Sequence, residues 1–132
     1  MANPNLFAAT TASGTTTYLT PSATTAVILV ANTSTSGQVF KINQIVAANV
    51  NGASAVDTTV SIYVGSSVTT QGSAPASGTA YPVVSTVSVP ADASLIVVDK
   101  TTAIYLMENQ LISVTSGTAS GITYSISYEV IS

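Results

Sequence analysis

Along most of the chain, apolar and polar residues alternate with a period close to two. No window of helical length sustains apolar residues at i, i+3, i+4 and i+7. This pattern predicts an all-β protein. It is clearest toward the C-terminus, where Ile122, Tyr124, Ile126, Tyr128 and Val130 alternate with Thr123, Ser125, Ser127 and Glu129. Successive side chains of a strand go to opposite faces, so one of these two sets becomes core. Each large side chain buried contributes about 1.5–3 kcal/mol, and a register slip of one residue would turn all five outward. A second strand is expected over 56–64, with Val56, Thr58, Val60, Ile62 and Val64 on one face and Asp57, Thr59, Ser61 and Tyr63 on the other. The turn signals Asn51-Gly52 and Gly65-Ser66 bound it.

Further strands are expected at 15–19, 25–32, 39–50 (bent or bulged near Asn43), 81–89, 94–98, 103–107 and 111–115, about nine in all. Short strands at near-regular spacing, with turn residues between them and no helical crossover, predict a single antiparallel β-sandwich with jelly-roll or Greek-key connections. The frequent threonines fit its polar faces, because Thr is β-branched and pairs across strands. The small-residue stretch 71–78 reads as an exposed loop. Residues 1–14 read as a terminal arm and 15–132 as the sandwich domain. The only apolar anchors in the arm are Leu6 and Phe7. The arm either frays, as termini do, or orders against a neighbouring subunit through those two residues.

Composition narrows the picture. A chain of 132 residues is one domain by default and long enough to bury an independent core. Charged residues make up 5%, against about 25% in an ordinary soluble domain, while hydrophobic residues reach 46% and Thr and Ser number 21 and 19. The longest apolar run, 26–31, is far short of the roughly 20 residues a membrane-spanning helix needs, and the aromatic girdles of an outer-membrane barrel are missing. Disorder couples low hydrophobicity to high net charge, and this chain has the reverse, with net charge −3. Met1–Asn5 lacks the basic start and apolar stretch of a secretory leader, so synthesis in a cytoplasm is expected. The absence of cysteine rules out a disulfide framework.

The same composition closes most chemistry. There is no Cys, His, Arg or Trp, and Lys41 and Lys100 face only Asp57, Asp92, Asp99, Glu108 and Glu129. No catalytic residue, cofactor or metal is expected, and the protein reads as no enzyme. A nucleophile needs an adjacent base. The only bases left are the lysines, of which Lys100 sits in a charged hairpin turn and Lys41 faces outward on a strand. Asp92, Asp99 and Glu108 would serve glycoside hydrolysis or calcium binding only if clustered, and each falls in a turn where solubilising acids normally occur. Two lysines make no phosphate-binding patch, which excludes nucleic acid. For carbohydrate, Tyr63, Tyr81 and Tyr105 are the candidate exposed rings, while Tyr124 and Tyr128 are expected in the core. A surface of hydroxyls and amides is insensitive to salt and lies against another protein at little desolvation cost. Such a surface suits a component present in many copies on a large assembly.

The segments Tyr81-Pro82-Val83-Val84, Val89 to Asp99, Ile104-Tyr105-Leu106, Asn109 to Val114 and Ile122 to Ile131 resemble small all-β virion proteins of tailed bacteriophages. In those proteins a Val-Pro-Ala-x-x-Ser-Leu turn, an Ile-x-Leu strand, a Gly-Asp or Asn-Gln turn, Leu-Ile-x-Val and a Tyr-rich closing strand follow in this order. Residues 26–50 are similar to their first half. The resemblance implies a non-enzymatic homo-oligomeric component of the virion, made in a host cytoplasm. Its most direct reading is a capsid decoration or cement protein that binds the major capsid protein. The alternatives are a neck, tail or fibre-associated protein that binds a receptor glycan, or a free carbohydrate-binding module.

Overall fold

A computed structural model describes residues 5–132. It contains nine strands: β1 (Ala12–Leu19), β2 (Val27–Asn32), β3 (Val39–Asn49), β4 (Val56–Val64), β5 (Thr79–Val89), β6 (Ser94–Val98), β7 (Ile104–Leu106), β8 (Gln110–Ser116) and β9 (Ile122–Ile131). The described residues include no α-helix, only a 3-10 turn at Lys100–Thr102. One sheet runs β1-β9-β3-β6, with β7 continuing beyond β6 along the same edge of β3, and the other runs β2-β8-β4-β5. All pairings are antiparallel. Counting β6 and β7 as one interrupted strand, this is the eight-strand jelly-roll order, in which the chain crosses between sheets and no strand of the first sheet pairs with its nearest sequence neighbour.

The expected alternation builds the core. Ile122, Tyr124 and Ile126 of β9 meet Ile42, Ile45 and Ala47 of β3 on one inner face, and Leu29, Val60, Ile112 and Val114 close the cluster from the other sheet. Tyr128 and Val130 pack at its margin, with the Tyr128 ring 5.1 Å from that of Phe40. The irregularity expected near Asn43 is a register shift between Ile42 and Gln44 opposite β9. The extra residue lets Ile42 and Ile45, three positions apart, both point inward.

Two buried asparagines tie the sheets together at the ends of their strands. Asn49, on β3, donates through Nδ2 to the carbonyls of Val89 (2.8 Å) and Ser54 (3.0 Å) and accepts from the Asn51 amide (2.7 Å). Asn32, on β2, donates to the carbonyls of Gln38 (2.9 Å) and Leu106 (3.0 Å). Each carries a strand end of one sheet to a strand of the other. In the interior, the Tyr124 hydroxyl donates to the Thr115 carbonyl (2.8 Å) and bonds the Thr58 hydroxyl.

Two segments differ from expectation. β1 begins at Ala12 and not near residue 15, because β9 continues to Ile131 and Ala12 pairs with that residue. The loop 65–78 is exposed, but it also covers the sandwich. Ile28 and Leu111 are buried yet stand outside the core cluster, on the outer face of the β2 sheet. The loop docks there: the Ile28 amide donates to the Ser73 carbonyl, the Gly72 amide donates back to Ile28, and Gln71 Nε2 reaches the Leu29 carbonyl (3.1 Å). The Ser66 hydroxyl bonds the Val68 and Ala76 amides and fixes the loop's shape.

Candidate interaction surfaces

The outer face of the β1 sheet is nearly free of charge. Its rows follow from the registers: Tyr18, Ser125, Val46 and Ile96 lie side by side across four strands, Thr16, Ser127 and Gln44 form the next row, and Gly14, Glu129, Lys41 and Tyr105 a further one. Hydroxyls pair across the strands, Thr16 with Ser127 (2.9 Å) and Thr20 with Thr123 (2.8 Å). Glu129 and Lys41, 3.9 Å apart, supply the charge on these rows and offset one another. Around this polar floor stand exposed apolar groups: Tyr18 at 74%, Ile96 at 58%, Tyr105 and Met107.

The N-terminal segment runs beside this face. Leu6, Ala12, Lys41, Tyr105, Glu129 and Ile131 line an open hollow of about 460 Å³. Leu6 is half-exposed at its rim and Phe7 projects fully into solvent, with a relative exposure of 103%. A local turn holds Phe7 there: the Asn5 side-chain oxygen accepts from the Phe7 amide (3.0 Å) and the Asn5 carbonyl from the Ala8 amide (2.9 Å). Leaving a phenylalanine uncovered forfeits the stabilisation that its burial would bring, about 1.5–3 kcal/mol. The two residues singled out in the arm are therefore both available for contact.

The groups weighed above as candidates for chemistry lie apart. Asp99 caps the 3-10 turn, and the Thr101 hydroxyl and amide, with those of Thr102, hold its carboxyl below the usual range. Glu108 accepts from the Gly37 amide (2.9 Å), and Asp92 lies beside Gly52 in its own turn. Among the described residues no three metal-ligating side chains gather. Lys41 faces outward toward Glu129, and Lys100 lies in the exposed turn. The tyrosines form no platform. Tyr63 is half-buried and donates to the Ser77 carbonyl (2.5 Å), Tyr81 stands on β5 in one sheet, and Tyr105 stands on β7 in the other. Tyr124 is sealed from solvent, which pushes its hydroxyl pKa up to about 12, and burial raises that of Tyr128 as well.

Tyr18, Ile96 and Met107 did not emerge from the sequence as surface residues. Ile96 sits inside the run Leu95-Ile96-Val97-Val98, which has no polar partner to reveal its parity. Tyr18 lies on a strand whose first five residues are all exposed, so that only Thr17 and Leu19 at its end mark an inner face. No protein-family profile, no curated protein and no solved structure matches this chain.

Proposed function

We propose that this chain is a non-enzymatic virion structural protein, a capsid decoration or cement protein that binds the capsid shell and stabilises it. The observation that carries the reading is the outer face of the β1 sheet together with the uncovered Phe7 beside it. The face is a broad, hydroxyl-lined surface with one balanced ion pair, flanked by exposed apolar side chains. Such a surface sheds little bound water or counterion when it meets a partner, and the aromatic residue supplies an anchor of the kind that dominates interface energetics. The jelly roll is compatible with this role. The resemblance of its order of turns and strands to that of small phage virion proteins supports the same reading.

The test is stoichiometry. Quantitative mass spectrometry of purified particles is expected to find the chain at a copy number comparable with that of the major capsid protein. A dozen copies or fewer would move it to the neck or tail, and absence from particles would overturn the reading. The double variant Leu6→Ser and Phe7→Ser, added back to shells lacking the protein, is expected to bind roughly thirtyfold more weakly, the loss of one aromatic anchor worth about 2 kcal/mol.

A further inference from the structure

A β-sandwich of two open sheets has four edges, and an unprotected edge is a template for pairing with another chain. Among the described residues, three of the four are blocked. The β2 edge is occupied by the loop, whose Gly72 and Ser73 take both backbone groups of Ile28. The β5 edge carries Pro82, two register breaks against β4 and a left-handed residue at Thr86 (φ 50°). The edge formed by β6 and β7 is split by the turn at Lys100–Thr102 and its capping carboxylate, Asp99.

The fourth edge, β1, has none of these devices from Ala12 to Thr16, and the loop reaches it only at its end, where Gln71 bonds Thr17 and Tyr18. Its eight residues pair with β9 without a break, and it contains no charge and no proline. The parity of its backbone is fixed by Thr11, which exchanges both of its hydrogen bonds with Ser132. Bonded and non-bonded residues alternate along an antiparallel ladder. Ser13, Thr15 and Thr17 therefore bond β9, while Ala12, Gly14, Thr16 and Tyr18 turn their N–H and C=O groups away from it. The Tyr18 carbonyl does accept from Gln71 across the open side (3.4 Å), as that parity requires. Ala12, Gly14 and Thr16 keep an N–H and a C=O each, with no partner in the described chain.

Gly14 is a second, independent sign. Glycine weakens a strand interior and often marks the close approach of another backbone. Here its φ is not left-handed, and a Cβ at this position would meet nothing within 4 Å. Nothing among the described residues calls for glycine there.

We propose that a second copy of this chain pairs antiparallel with β1 about a two-fold axis through Gly14. In that register Ala12 meets Thr16 of the other copy, Gly14 meets Gly14, and Thr16 meets Ala12, so every outward-facing group of the three residues finds a partner. A two-fold brings a strand against its own image, which penalises any charge near the axis. β1 has none. The nearest carboxylate, Glu129, would lie three strand spacings from its copy, roughly 14 Å, beyond the screening length at physiological salt. The pairing joins the two β1 sheets into one continuous sheet. It stands whether or not the chain belongs to a virion.

Sedimentation equilibrium of the purified protein from micromolar to millimolar concentration is expected to give twice the 13.2 kDa of one chain. Gly14→Lys places two ammonium groups face to face on the axis, and Thr16→Pro removes an outward N–H at an edge where proline is tolerated. Both are expected to give folded monomers. Gly14→Cys, the sole thiol in a chain without cysteine, is expected to give a covalent dimer with a short bifunctional maleimide, because opposed residues in such a pair have Cα atoms about 5.5 Å apart, within the reach of the linker. Should Gly14→Lys fail to fold by circular dichroism, the other two variants decide the matter. A wild-type protein that is monomeric throughout overturns the proposal, as does an oligomer whose mass survives Thr16→Pro, or a dimer that Gly14→Cys does not cross-link.

Discussion

Replacing Tyr124 with phenylalanine removes one oxygen from the centre of the sandwich and gives a sharply defined expectation. The hydroxyl bonds the Thr115 carbonyl and the Thr58 hydroxyl, and the residue is fully buried. Its loss strands the buried Thr58 oxygen, so the variant should be destabilised at pH 7 by about 2 kcal/mol. The same burial makes the effect depend on pH. The unfolded chain releases the tyrosine proton near pH 10, and the native state holds it to about 12. A raised folded-state pKa contributes stability that is complete below pH 10 and lost as pH rises from there through 12. Two pKa units correspond to about 2.7 kcal/mol in the limit, and by pH 11 about 1.4 kcal/mol should already be gone. Phenylalanine cannot titrate, so the gap between wild type and Tyr124→Phe, measured by urea unfolding between pH 7 and 11, should narrow by that amount. Using the difference cancels Tyr128, which is also shifted upward but is present in both proteins. A gap that stays constant across this range, or a variant as stable as wild type at pH 7, would refute the argument.

Other perturbations test the remaining joints. Asn49→Ala removes two donated bonds and one accepted bond and leaves the Val89 carbonyl buried without its partner, for a loss of about 3 kcal/mol in urea unfolding. Gly78→Ala should cost at least about 3 kcal/mol and depress the soluble yield, since the residue is left-handed (φ 77°) and the new Cβ would sit 2.2 Å from the Val64 carbonyl oxygen. Gln71→Ala releases the loop from Thr17, Tyr18 and Leu29. Hydrogen exchange at the Ile28 and Gly72 amides should accelerate about tenfold, the equivalent of one or two bonds, with global stability little changed.

Strands whose two faces differ were legible in the sequence. β4 and β6 have the expected bounds, and β9 was recognisable because one face is apolar and the other hydroxyl-bearing. The bulge at Asn43 was legible because Ile42 and Ile45 cannot share a face at a spacing of three without an extra residue. The start of β1 was not. Ala12, Ser13 and Gly14 are exposed on both sides and pair only because β9 extends beside them, a cause that lies more than a hundred positions away in the chain. The covering role of the loop 65–78 was hidden for a related reason: in the uninterrupted run Val27 to Ala31 the pattern cannot say that Ile28 faces away from the core. For the interaction surface, Leu6 and Phe7 stood out as apolar anchors amid polar and small residues. The open edge at β1 became visible only once the other three edges were seen to be closed.

The position of β9 between β1 and β3 also sets the order of events during synthesis. β1 leaves the ribosome about a hundred residues ahead of β9, its partner among the described strands. At 5–20 residues per second the nascent chain carries β1 unpaired for roughly 5–20 s. The first sheet is completed only when β9, the last of the described strands, has emerged. Any early stop codon that removes β9 therefore leaves β1 without a ladder and β3 paired only along its β6–β7 side, a product that cellular proteases would clear.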